Sequence, residues 1–196
     1  MTKGTSSEHP ILFSGPMVRA ILESRKTQTR RPIKGAPLGA DCGLFAKDSA
    51  VFFRGTTPES PSVGAPIRCP YGVPGDRLWV RETWQDWCPT WSGGRTHRPA
   101  YRATPDERGE PLRWRPSIHM PRWASRITLE LTGVRVERLQ AIDEAGAICE
   151  GFMYAGRGDD WQRPDSFRVL WDRLNSPRGY GWDMNPWIWV LEFRLA

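Results

Sequence analysis

The sequence predicts an α+β fold, a small mixed β-barrel or strongly curved sheet with helices at its periphery. Three observations lead there. Residues 125–139 alternate apolar and polar side chains over the length of a long strand, and Trp187–Leu195 forms an almost wholly apolar closing strand. Helical spacing is confined to three short stretches, near Met17, Glu144 and Phe167. The order strand, helix, several strands, helices, final strand places helices around a sheet rather than between its strands. At 196 residues the chain suits one domain with a real core, whereas two domains would each be small.

Taken in order, residues 1–10 read as a disordered tail. Ile11-Leu12-Phe13 is a short strand, and Ser14-Gly15-Pro16 starts a helix whose apolar stripe is Met17, Val18, Ile21 and Leu22. That helix should end at Glu23-Ser24, so that Lys26–Arg31 leaves it as loop or strand until Pro32 stops the segment. Residues 35–65 are rich in glycine, proline and serine and hold at most a hairpin, with apolar runs at Leu44-Phe45 and Val51-Phe52-Phe53. The turn Tyr71–Asp76 leads into a strand over Arg77–Trp84. Residues 85–122 form a second long insertion, with one strand near Ala100–Ala103. The strand of 125–139 should bend at Gly133. Asp143 caps a helix over Glu144–Glu150 that Gly151 stops, and a second amphipathic helix over Ser166–Asn175 should bury Phe167, Leu170, Trp171 and Leu174.

Composition narrows the partners. The net charge is +6 and the pI near 9.5, with arginine supplying most of the excess. Guanidinium groups suit planar, bidentate recognition of phosphate or bases, so nucleic acid or a nucleotide is the expected class of ligand. Several of the 11 tryptophans adjoin arginines, as in Arg113-Trp114-Arg115, which is what a base-stacking surface needs; Trp79, Trp171 and Trp189 are expected in the core. Cys42, Cys69, Cys88 and Cys149 show no CxxC spacing, and with a polar N-terminus they are expected as reduced thiols in a cytoplasm. No apolar run reaches membrane-spanning length.

The chemistry concentrates in Ser24–Arg31, where one lysine, two threonines and three arginines follow a short helix. A threonine hydroxyl becomes a nucleophile when a neighbouring base takes its proton, and Lys26 can serve Thr29 if its ammonium is disfavoured. Arg25, Arg30 and Arg31 push in that direction. Glu150, at a helix C-terminus, should hold its proton more tightly, as an acid donating to a leaving group must. The bland reading of an isolated basic run, a solvated loop, stands beside it. Arg81-Glu82 at a strand end can position substrate or form an ordinary cross-strand ion pair. His97, His119, Cys69 and Cys88 lack short ligand spacings, so no metal or other cofactor is expected.

The helix followed by Ser24–Arg31, together with Pro74-Gly75-Asp76-Arg77-Leu78-Trp79-Val80-Arg81-Glu82, resembles the ASCH domain of the PUA-like superfamily. Its signature is a glycine, a lysine two residues on, an acid three later and an arginine two after that; here Ser24, Lys26, Thr29 and Arg31 hold those positions. The run Lys-Thr-x-Thr-x-Arg is similar to the branch that removes the acetyl group from N4-acetylcytidine. That resemblance implies a small PUA-like barrel in which Lys26 is the base, Thr29 the nucleophile and Glu150 the proton donor. It implies substrate contacts from Arg31, joined by Arg30, Arg81, Glu82 and Trp84, with a modified nucleoside or RNA as partner. The long insertions and Ile118–Ile127 look more like larger ASCH-like proteins of phages and prophages. Alternatives within the same resemblance are a non-catalytic RNA- or modified-base-binding module and an RNA-cutting protein.

Overall fold

The computed structural model describes residues 6–36, 44–47, 50–53, 67–87, 98–104, 113–152 and 164–196. The strands are β1 (Glu8–Leu12), β2 (Gln28–Pro32), β3 (Leu44–Lys47), β4 (Ala50–Phe53), β5 (Ile67–Arg68), β6 (Arg77–Arg81), β7 (Trp84–Trp87), β8 (Arg98–Tyr101), β9 (Thr128–Arg138) and β10 (Trp187–Leu195). The helices are α1 (Gly15–Leu22), α2 (Glu144–Cys149) and α3 (Pro164–Asn175). No helix among the described residues is long and apolar enough to cross a membrane.

The main sheet has the order β1-β6-β9-β10-β2. β1 runs parallel to β6, and the other neighbours are antiparallel, so the fold is α+β with a mixed sheet. The expected barrel does not close among the described residues: β1 and β2 are the edges of an open sheet, and α1 carries the chain from one edge to the other. Side chains of α1 fill the open side, with Val18 and Ile21 in one cluster with Ile11, Leu78, Leu129 and Leu191.

β10 decides where the core lies. Its alternate residues Trp189, Leu191 and Phe193 enter the cluster under α1, while Ile188 and Val190 enter a second with Leu139, Phe152, Phe167 and Trp171. A strand buried on both faces is what its near-continuous apolar run requires. The bend in β9 is a bulge: Glu192 faces Gly133 and Phe193 faces Leu131, leaving Thr132 unpaired. A Cβ on Gly133 would lie 2.5 Å from the Glu192 carboxylate, so a side chain there would push that flexible group aside.

The expected tail is shorter than 1–10, because Glu8, His9 and Pro10 pair with Arg77, Leu78 and Trp79 in the sheet. The strand expected over Arg77–Trp84 breaks after Arg81, where the chain changes partner. The Glu82 amide turns to Met120 Sδ (3.4 Å), and Trp84 exchanges backbone hydrogen bonds with Arg115. Trp84, Met120 and Ala124 then make a third, small core, to which the expected 85–122 insertion contributes Met120 and the packed Tyr101. The 35–65 excursion holds the β3–β4 hairpin, and Cys42, Cys88 and His97 lie outside the described residues. Trp79 is half-buried rather than core, and Leu174 is 51% exposed, because the apolar stripe of α3 is shared between the core and a cleft.

Candidate active site

The end of α1 sets the first side chain. Ser24, at the position of the signature glycine, takes a left-handed backbone (φ 57°), and the amides of Arg25 and Lys26 then both bond to the Ala20 carbonyl. The turn folds Lys26 back beneath the helix, and a backbone bridge pairs it with Glu150 as Thr27 N–H donates to Cys149 O. The sequence-distant lysine and glutamate are thus joined through their backbones before their side chains meet.

On the other side, Asp143 caps α2 by accepting from the Gly146 amide at 2.7 Å, and Glu150 follows as the C-cap. Gly151 has φ +92°, and a Cβ there would sit 3.0 Å from Ala20 Cβ and 3.2 Å from Lys26 Cβ. Gly151→Ala combines left-handed strain with contact against two buried neighbours. It is expected to lower stability by about 1–3 kcal/mol in a denaturant titration. At Gly146, whose backbone is not left-handed, a Cβ would come within 2.6 Å of the buried Arg30 guanidinium and displace it.

The side chains then converge. Lys26 Nζ donates to Glu150 Oε2 at 2.5 Å and to the Glu150 carbonyl at 2.9 Å. Arg30 reaches Glu150 Oε1 at 3.4 Å, the Gly146 carbonyl at 3.3 Å and Glu137 at 3.7 Å. Lys26, Thr29, Arg30 and Glu150 are all buried, so these charges meet with little water between them. Burial pushes the Lys26 ammonium below the usual lysine range; Arg31 and Arg30 add to that, and Glu150 opposes it. Arg25 has no part in it, being turned out to the Glu23 carboxylate and the Gly151 carbonyl. The expected direction therefore holds, with desolvation as its main cause.

These groups line a cleft of about 600 Å³, within the range of ligand-binding clefts. Lys26, Thr29, Arg30 and Glu150 lie on it together, with Arg31 and Arg81 among the other expected contacts. Arg31 is two residues beyond Thr29 on β2. Its guanidinium rests over the Phe13 ring (5.2 Å) and donates to Leu12 O at 2.7 Å. Leu170, Trp171 and Leu174 of α3 form an apolar wall.

Glu82 and Trp84 do not line this cleft. Glu82 is buried and holds Arg126 through two hydrogen bonds of 2.9 and 3.0 Å, while Arg126 also stacks 3.9 Å over Tyr101. This is the ion-pair reading of that position rather than the substrate-binding one. Trp84 is buried between Met120 and Ala124, with Arg115 over its ring and Trp123 edge-on at 5.7 Å. Sequence reasoning missed the α3 wall, Phe13 and Arg178. The apolar stripe of α3 was visible, but spacing along one helix does not say which side of it meets a cavity.

Fold and cleft together define an α+β domain with a buried lysine–glutamate pair and a strand-borne threonine on one cleft. No protein-family model and no curated protein matches the chain. Among solved structures it is similar to protein EF3133 of Enterococcus faecalis V583, described under family model DUF984, at 9% identity over 98% of this chain and 82% of that one, with a TM-score of 0.44. It is also similar to an ASCH domain from Lactobacillus crispatus JV V101, at 12% identity over 98% and 81%, with a TM-score of 0.43.

Proposed function

We propose that the protein is an amidohydrolase that removes an acyl group from an N-acylated cytosine nucleoside or a related base, N4-acetylcytidine being the model substrate. The observation that carries this reading is the buried Lys26–Glu150 pair on the cleft that Thr29 also lines. A neutral Lys26 Nζ takes the Thr29 hydroxyl proton as Oγ1 attacks the amide carbonyl carbon. The tetrahedral intermediate collapses with cleavage of the C–N bond, and Glu150 gives its proton to the departing exocyclic nitrogen. Water then attacks the acyl-threonine ester, giving up a proton to the carboxylate of Glu150. The ester C–O bond breaks, Oγ1 recovers its proton from Lys26, and the carboxylic acid leaves. Arg31 binds substrate beside the nucleophile.

The lowered Lys26 pKa supports the base role and sets one limb of the pH dependence. The active form pairs the neutral Lys26 amine with a protonated Glu150, so turnover passes through a maximum, rising on the acid side and falling on the alkaline side, with the Lys26 limb below the ordinary lysine value of 10.5. The test is incubation with a panel of acylated nucleosides across this range, with release of the deacylated base followed by mass spectrometry. No turnover on any of them, or turnover without a maximum below pH 10.5, overturns the reading.

A second reading, a binding module for RNA or a modified base without catalysis, is favoured by the arginines along the cleft. It expects salt-dependent binding that survives loss of the Thr29 hydroxyl.

A further inference from the structure

We infer that the cleft recognises a phosphorylated form of the acylated base, a nucleotide rather than a neutral nucleoside; this rests on the amidohydrolase reading of the same cleft. Glu150 is the acid among the residues that line it, and its carboxylate is already taken by Lys26 and Arg30. Arg31, Lys34, Arg81 and Arg178 line the same cleft, and none forms an ion pair among the described residues. Elsewhere some arginines are neutralised by carboxylates, as Arg126 is by Glu82 and Arg194 by Glu130, while Arg19 and Arg138 are held by single backbone carbonyls away from the cleft.

Two of the cleft cations are held in place by groups that leave their charge intact. Arg31 is anchored on the Leu12 carbonyl and the Phe13 ring, and Arg81 on the Ile118 carbonyl and the Trp79 ring. The Arg81 Nε is buried and has no hydrogen-bond partner. An oriented guanidinium with spare donors and no counter-charge suits a phosphate, which offers several acceptor oxygens and the charge the cleft lacks. Like charges gathered on one concavity raise the local concentration of anions. Leu170, Trp171 and Leu174 give the same cleft an apolar stretch. A ligand that matches both has a flat, weakly polar part and an anionic end, as an acylated nucleotide has.

Isothermal titration with cytidine and with cytidine 5′-monophosphate separates the ideas, because both are products of the proposed reaction or its phosphorylated counterpart. The monophosphate is expected to bind about tenfold more tightly or better at about 50 mM salt, with the gap closing as salt rises. The Lys34→Gln/Arg178→Gln variant, changed at two exposed positions, should shrink the ratio toward one. Equal affinities, undetectable binding of the monophosphate, or a ratio unmoved by that variant overturn the inference. A short cytidine-containing RNA tells the two sources of phosphate apart: tighter binding than the monophosphate assigns the anion to a strand, and equal binding assigns it to a free nucleotide, either result supporting phosphate recognition. Hydrolysis of acylated nucleoside and nucleotide with equal KM leaves the amidohydrolase standing and removes the phosphate. Selective monophosphate binding without hydrolysis of any acyl substrate keeps the anion site and removes the reaction.

Discussion

Glu150→Leu is expected to destabilise the fold by about 3–5 kcal/mol, and adding Lys26→Met to it should restore most of that loss. The single change leaves a lysine that is 3% exposed without its carboxylate, and Arg30 with only Glu137 at 3.7 Å and a carbonyl. The double change replaces both charges of the pair by apolar chains of similar volume, and such replacements in other buried pairs are neutral or stabilising by about 1–4 kcal/mol. Urea unfolding of the four proteins completes the cycle. Additive losses in the double variant would show that Lys26 and Glu150 do not act as a pair. The pH dependence has a definite sign. Lys26 has a lower pKa folded than unfolded, so its contribution costs stability below the folded pKa, and that cost is lifted as pH rises toward 10.5. The Lys26→Met/Glu150→Leu protein should lose this rise. A buried pair that adds little net stability and lies on a cleft is an arrangement suited to chemistry in the proposed reading.

Thr29→Val should lower kcat/KM for the acylated nucleoside by about a thousandfold or more while leaving the protein folded. Thr29 is buried on β2 opposite Leu191, and valine has the same shape there without the hydroxyl. Thr29→Ser keeps the nucleophile and should stay within about tenfold of the parent. Lys26→Met should fall to the same floor as Thr29→Val, and the two changes together should fall little further, because a base and the nucleophile it activates act as one unit. Single-turnover assays that trap the acyl-threonine ester by mass spectrometry in the parent, and not in Thr29→Val, locate the attacking oxygen. Full activity in Thr29→Val would assign the attack to water and leave Lys26 and Glu150 as the working groups.

Much of this site could be read along the chain. Local chemistry ended α1 at Ser24, capped α2 with Asp143 and stopped it at Gly151, because caps and left-handed turns depend on a few adjacent residues. The near-continuous run of β10 gave its length and two-faced burial, and the alternation around Gly133 marked β9 and its bulge. The lysine, the threonine and the glutamate were singled out by residue type and spacing. By itself, then, the sequence determined the helix ends, the two long strands and the candidate chemistry.

Tertiary structure alone decided which of those candidates share a cavity. Lys26 and Glu150 are 124 residues apart, and they meet because a backbone bridge and the close packing of Gly151 on Ala20 bring α1 and α2 together. Glu82 and Trp84 had equal claims by residue type, yet the chain turns after Arg81 and commits one to Arg126 and the other to a small apolar core. The open sheet edge, the second role of α3 as a cleft wall, and the cleft cations Arg31 and Arg81, without an ion pair among the described residues, belong to the same level. Periodicity reports which face of an element is apolar, while the partner that covers that face, or leaves it to a ligand, is set by contacts between residues far apart in the chain.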